Sequence, residues 1–231
     1  MFISMETPQR KKSHKGGSVV RTEPSDKHLF YDEPMVREVF QRVGCLSFFQ
    51  NMQRGHPEVA SKFALHFYGI KTKVGNLEFE VSEATIEASI EIPNTGERWF
   101  KSMILNATFS KDFLKPDYHK DNLSKGVPRS HLVEGFDKML KIIQRYFTCE
   151  GRFNMIYQYH IRILLHFTGK DLMNIPFYLF KSMGKMADRV QAKSKAVDTT
   201  FFHSGLSRML VVEELKKINL SWEQFIVYAN L

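Results

Sequence analysis

Nine histidines, two cysteines and 25 carboxylates are the side chains of this 231-residue chain that could bind a metal or move a proton. Their spacing argues against most such chemistry. His160 and His166 are the closest histidine pair, and six residues of helix set two rings about 240° apart. Neither a His-Glu-x-x-His nor a Cys-x-x-Cys spacing occurs, so no zinc site is written in the chain. His160, within Tyr157-Gln158-Tyr159-His160-Ile161, reads as a hydrogen-bonded helix histidine. Cys149, before Glu150-Gly151, would be a nucleophile only with a histidine beside it, and otherwise is a structural thiol. The phosphate cradle Gly-x-x-x-x-Gly-Lys and the nucleophile elbow Gly-x-Ser-x-Gly are both missing. Asp112, Asp117 and Asp121 could serve a metal-dependent nuclease, but Lys111, Lys115, Lys120 and Lys125 alternate with them as in a solvated loop. No catalytic residue, metal ligand or cofactor is assigned, and the chain is expected not to be an enzyme.

Binding chemistry is better represented. Lys181, Lys185, Arg189 and Lys193 recur every four residues. On a helix each step drifts about 40°, which makes one slanted basic stripe. Met183, Met186 and Val190 fall on the opposite side. Such a stripe suits phosphates or an acidic protein face; its bland alternative is an ordinary solvated helix face. Rings alternate with cations at Arg98-Trp99-Phe100-Lys101 and Arg145-Tyr146-Phe147. Stacking on single-stranded bases needs such rings exposed, and their helical setting favours the core instead. Arg10-Lys11-Lys12-Ser13-His14-Lys15 suits nuclear import or phosphate binding, against the plainer reading of a solvated terminus.

These residues need a scaffold, and composition supplies one. The chain is 43% apolar and 13% aromatic, with 20 Phe, 8 Tyr and 2 Trp, enough to bury a sizeable core. The net charge of +8 permits acidic partners. Two cysteines exclude a disulfide-dense secreted scaffold. The opening Met-Phe-Ile-Ser-Met-Glu reaches charge too early for a signal peptide, and no apolar run is long enough to span a membrane. An intracellular protein, nuclear or cytoplasmic, is expected. Residues 1–28 hold six basic and three acidic residues, few apolar ones and Gly16-Gly17, and read as a disordered basic tail.

Periodicity then sets out the elements. Pro34 opens a helix through Val43 that stops at Gly44, followed by a short apolar stretch from Cys45 to Met52. Pro57 opens another, with Val59, Phe63 and Phe67 inward and Gly69 closing it. Residues 70–81 alternate apolar with charged about Gly75-Asn76, which predicts a β-hairpin. Its register pairs Val74 with Leu77, Thr72 with Phe79 and Ile70 with Val81 on one face. Lys73 with Glu78 and Lys71 with Glu80 fall on the other. Ser82 caps a short helix to Ile90, and residues 106–130 look irregular. Further helices are expected from Ser130 to Phe147, Phe153 to Phe167, Pro176 to about Lys193 and Phe202 to Lys217, with a last one capped by Ser221-Trp222-Glu223-Gln224. The fold class is mostly α (α+β), a multi-helix domain over 29–231 with one small hairpin. Within it lie an N-terminal lobe of about 29–105, an irregular connection of about 106–130 and a helical lobe of about 131–231.

Several stretches resemble a known family. His56-Pro-Glu-Val-Ala-Ser-Lys-Phe63 with Phe67-Tyr68, Lys73-Val-Gly-Asn-Leu-Glu-Phe-Glu-Val-Ser82, Ile86 and Pro93-Asn-Thr-Gly-Glu-Arg-Trp-Phe-Lys101 are similar to the plant transposon protein domain found in many uncharacterised plant proteins. Tyr159-His-Ile-Arg-Ile-Leu-Leu-His-Phe167 and Phe202-His-Ser-Gly-Leu206 are similar as well, so the likeness spans roughly 34–220. It implies mobile-element ancestry and carries over no catalytic residue. The expectation is a non-enzymatic, transposon-derived module that binds nucleic acid weakly through its tail and the 181–193 stripe. A protein-interaction or self-assembly domain without nucleic acid is the alternative, and a metal-dependent nuclease remnant ranks last. The oligomeric state is left open.

Overall fold

The computed structural model describes residues 34–52, 55–100, 111–118, 126–148, 154–169, 172–192 and 203–231. The basic tail, Asp121, Cys149 and Lys193 lie outside them. The described residues form nine α-helices: α1 Pro34–Arg42, α2 Leu46–Asn51, α3 Pro57–Leu65, α4 Glu83–Ile90, α5 Phe136–Ile143, α6 Gln158–Phe167, α7 Ile175–Ala192, α8 Ser204–Lys217 and α9 Trp222–Tyr228. Two antiparallel ladders join them, β1 Lys71–Val74 with β2 Leu77–Glu80, and β3 Val127–Pro128 with β4 Met155–Ile156. The fold is mostly α with a small β component.

The hairpin shows how directly local sequence dictates structure. Lys71 pairs with Glu80, Thr72 with Phe79, Lys73 with Glu78 and Val74 with Leu77. This is the register that alternation requires. The Val81 N–H adds a bond to the Ile70 carbonyl at 2.6 Å. Gly75 opens the turn at φ +60°, a region that costs an L-residue about 1–2 kcal/mol. A Cβ there would also lie 2.7 Å from the Cβ of Ala229, so the bare turn seats against the end of α9. Thr72, Val74, Phe79 and Val81 are buried, whereas Ile70, at the open end, stays 49% exposed. The Thr72 hydroxyl donates to the Phe63 carbonyl at 2.9 Å and ties β1 to α3. Ser82 then caps α4 by accepting from the Thr85 N–H, and Thr85 Oγ1 accepts from the Ser82 N–H. Ser221 and Gln224 reproduce that reciprocal cap at α9.

The short apolar stretch from Cys45 to Met52 holds α2, and elsewhere two expectations need correction. The helix expected from Ser130 begins at Phe136. Residues 129–131 form a single 3-10 turn, after which Leu132 runs extended against 113–115: the Lys115 N–H donates to the His131 carbonyl, the Val133 N–H to that of Phe113, and Leu132 bridges Leu114. Leu132 is therefore buried by a non-local pairing that apolar spacing cannot distinguish from a helix face. Gly135, at φ +90°, turns the chain into α5, which widens into a π-helical turn at Gln144–Thr148. The helix expected from Phe153 begins at Gln158, because Met155 and Ile156 pair with β3 in a second ladder that no turn signal announced.

The buried residues from Val36 to Phe225 form one cluster. Phe40, Phe49, Phe147 and Phe167 close a ring of aromatic contacts, with successive centroids 4.4, 5.3, 5.2 and 4.6 Å apart. It joins α1, α2, the π turn and α6. Each such pair adds about 0.5–1.5 kcal/mol beyond area burial. The long helix α7 packs on α3, α4 and the π turn, and α8 packs on α3 and α4. No described helix is long and apolar enough to cross a membrane.

Candidate functional site

The basic face belongs to α7. Asn174 starts the helix by accepting from the Phe177 N–H at 2.9 Å, and its amide donates to Asn94 Oδ1 at 2.7 Å. Ser182, Met183, Met186, Ala187 and Val190 face the core. Lys181, Lys185 and Arg189 are exposed on the other side. The helical rise sets successive cations about 6 Å apart along the axis. Lys193, the fourth residue of the expected stripe, lies outside the described residues.

Two of the three cations, Lys181 and Lys185, stand beside an aromatic ring. Lys181 Nζ is 5.8 Å from the centroid of Phe177, and the Arg98 guanidinium carbon is 4.5 Å from that same centroid. Lys185 Nζ is 5.9 Å from the centroid of Phe100, which leans on Tyr178 at 5.3 Å. The charge of Arg189 reaches Tyr159, whose ring lies 5.7 Å from that of Tyr157 at an interplanar angle of 4°. Phe100, Phe177, Tyr157 and Tyr159 are all partly exposed. Trp99, Tyr146 and Phe147 are buried as expected, but Trp99 and Phe100 stand in a non-helical segment, and their two rings divide between core and surface. Phe177 is legible in retrospect, four residues before Lys181 on the same face. Phe100 and Tyr159 arrive from distant segments and carried no such signal.

A crossing of backbone and charge holds the 97–100 segment against α7. The Glu97 N–H donates to the Leu172 carbonyl and the Asn174 N–H to the Glu97 carbonyl, each at 2.9 Å. Gly96 fits because a Cβ would meet the Met173 backbone at 2.9 Å. Arg162, buried on α6, pairs with the Glu97 carboxylate while its guanidinium lies 5.0 Å from the Trp99 centroid. Next to it, Arg98 forks onto both carboxylate oxygens of Glu83. Beneath, His166 Nδ1 accepts from the Met173 N–H at 3.1 Å. Burial pulls the pKa of that imidazole down to about 4, so it sits neutral in the core.

Burial, and then the charge of Arg189, lower the pKa of Lys185, so its positive form is locally disfavoured. A bound phosphate would relieve that. Tyr159 remains a protonated phenol, its pKa raised to about 12 by burial and by Tyr157, against the opposing effect of Arg189.

Other chemistry-bearing residues are not brought together. Asp112 and Asp117 are exposed, and among the described residues no three His, Cys, Asp or Glu side chains are grouped to hold a metal ion. His160 accepts from the Tyr157 N–H at 3.1 Å and so caps its own helix. Burial raises the Cys45 thiol to about 12, which leaves it inert. A groove of about 410 Å³ between α2, α4 and α8 is lined by Gln50, Ser89, Glu91 and Arg208 among others; Ser89 donates within its own helix to Thr85. A second, of about 570 Å³, mixes Lys115, Arg129 and Lys138 with Glu134 and Asp137. Comparison with family models, curated proteins and solved structures finds no match to this chain.

Proposed function

We propose that this chain is a non-catalytic, intracellular module of mobile-element ancestry that binds nucleic acid weakly through the exposed face of α7. One observation carries the binding: Lys181, Lys185 and Arg189 stand in a row on a helix whose other side is anchored in the core. The row covers about 12 Å, the axial length of three or four phosphates on one strand. Lys193 and the basic tail add charge of the same sign. The ancestry rests on the resemblance over 34–220 alone. Neutralising three phosphates gives a salt slope of about −2.7 on duplex DNA, or about a 40-fold loss of affinity between roughly 50 and 200 mM salt. Fluorescence anisotropy with the full chain and with K181E/K185E/R189E tests this. Salt-steep binding abolished by the charge reversal, with an unchanged melting curve, is the expected result. Binding that ignores the reversal overturns the assignment.

A second reading, a protein-interaction or self-assembly domain, draws on Ile218, Val227 and Tyr228, which are 58%, 83% and 69% exposed near the C-terminal end. Light scattering showing a strict monomer at high concentration, with no partner captured, would remove it.

A further inference from the structure

Taking the α7 face as the binding surface, its neighbours decide which nucleic acid it fits. The cations do not stand alone: Phe177 and Phe100, from two different segments, present partly exposed rings beside Lys181 and Lys185. A duplex offers a helix its phosphates and groove edges and keeps its base faces stacked inside. Rings at such a surface add nothing to duplex binding. A single strand offers both chemistries at once, base faces for the rings and phosphates for the cations. Arg98 supplies a further flat surface. Its guanidinium is held in plane by the two bonds to Glu83 and lies over Phe177, yet its side chain remains 57% exposed. Guanidinium planes stack on bases as aromatic rings do.

We propose that Lys181, Lys185 and Arg189, together with Phe177, Phe100 and Arg98, form a single-strand nucleic-acid site that discriminates against duplex. Phosphates take the cations, and bases take the rings and the Arg98 plane. No bond is made or broken.

The test uses the full chain with three fluorescent probes of about 20 nucleotides: oligo-dT, oligo-rU and a mixed-sequence duplex. The expected result is that at least one single strand binds roughly tenfold or more tighter than the duplex. Phe177→Leu, which keeps apolar cover over the helix, should weaken the single strand by about 5- to 100-fold and leave the duplex unchanged. Phe100→Leu serves as the second ring variant should the first fail to melt like the parent. A tighter rU than dT would assign the site to RNA, and the reverse to DNA. Equal single-strand and duplex affinities, both lost in K181E/K185E/R189E, would overturn this inference and leave the phosphate-binding face standing. Binding insensitive to the charge reversal would remove both.

Discussion

The hairpin with its flanking caps and the crossing at Glu97 are built on opposite principles. In the first, the interactions that set the register span a few residues: Ser82 with Thr85, Lys73 with Glu78, and Gly75 at the turn. In the second, the partners are 65 residues apart for Arg162 and Glu97 and 80 apart for Asn174 and Asn94. The hairpin's charges face water and contribute little singly. The crossing's buried guanidinium is met by Glu97 and Trp99, which offset its burial. Local devices fix register and are individually replaceable. Long-range polar crossings fix the relation of helices, and removing one member strands another.

The largest expected effect therefore lies at the crossing. Trp99→Ala removes a buried ring stacked 6.0 Å from Tyr178 and uncovers Arg162, and should cost about 3–5 kcal/mol in urea unfolding. A loss under about 1 kcal/mol would show that the crossing is dispensable. Next comes acid. His166 has its pKa lowered from 6.5 to about 4 in the fold. Between those values the unfolded chain binds the extra proton. Stability should therefore be full above about pH 6.5 and fall as pH drops towards about 4, by roughly 3 kcal/mol. His166→Gln should flatten that slope in denaturation curves at several pH values, and a slope as steep as the parent's would assign it elsewhere. At the hairpin the effects shrink. Gly75→Ala meets both positive φ and Ala229, for about 1–2 kcal/mol. Adding Ala229→Gly should recover only the contact part, which separates backbone strain from crowding. Smallest is Lys73→Glu opposite Glu78, at about 0.2–1 kcal/mol, with Glu78→Lys in the same chain restoring it. If that single change cost more than the Trp99 variant, the contrast would be reversed.

The same contrast explains what the sequence made legible. Hairpin register, both reciprocal serine caps, the Pro57 start and the buried side of α7 follow from spacing and residue type within a dozen positions. Leu132 and Met155 were misread because their pairing partners, Leu114 and Pro128, lie outside any local window. The site divides in the same way. Lys181, Lys185 and Arg189 were legible as a row. Phe100 beside them was not, since it is held near α7 by the Glu97 crossing, whose partners lie some 75 residues away.

Gln191, in the last turn of α7, donates its side-chain amide to the Ala64 carbonyl in α3 and to the Phe67 carbonyl just beyond it, each at 2.9 Å. Helix ends ordinarily fray at almost no free-energy cost. Here fraying would also break the bonds from the Gln191 amide to the Ala64 carbonyl and to that of Phe67 just past the helix, a loss of about 1–3 kcal/mol. The turn that follows Arg189 is thus clamped from outside its own helix. Whatever lands on that face meets a rod already rigid, and the entropy of ordering it has been charged to folding rather than to association.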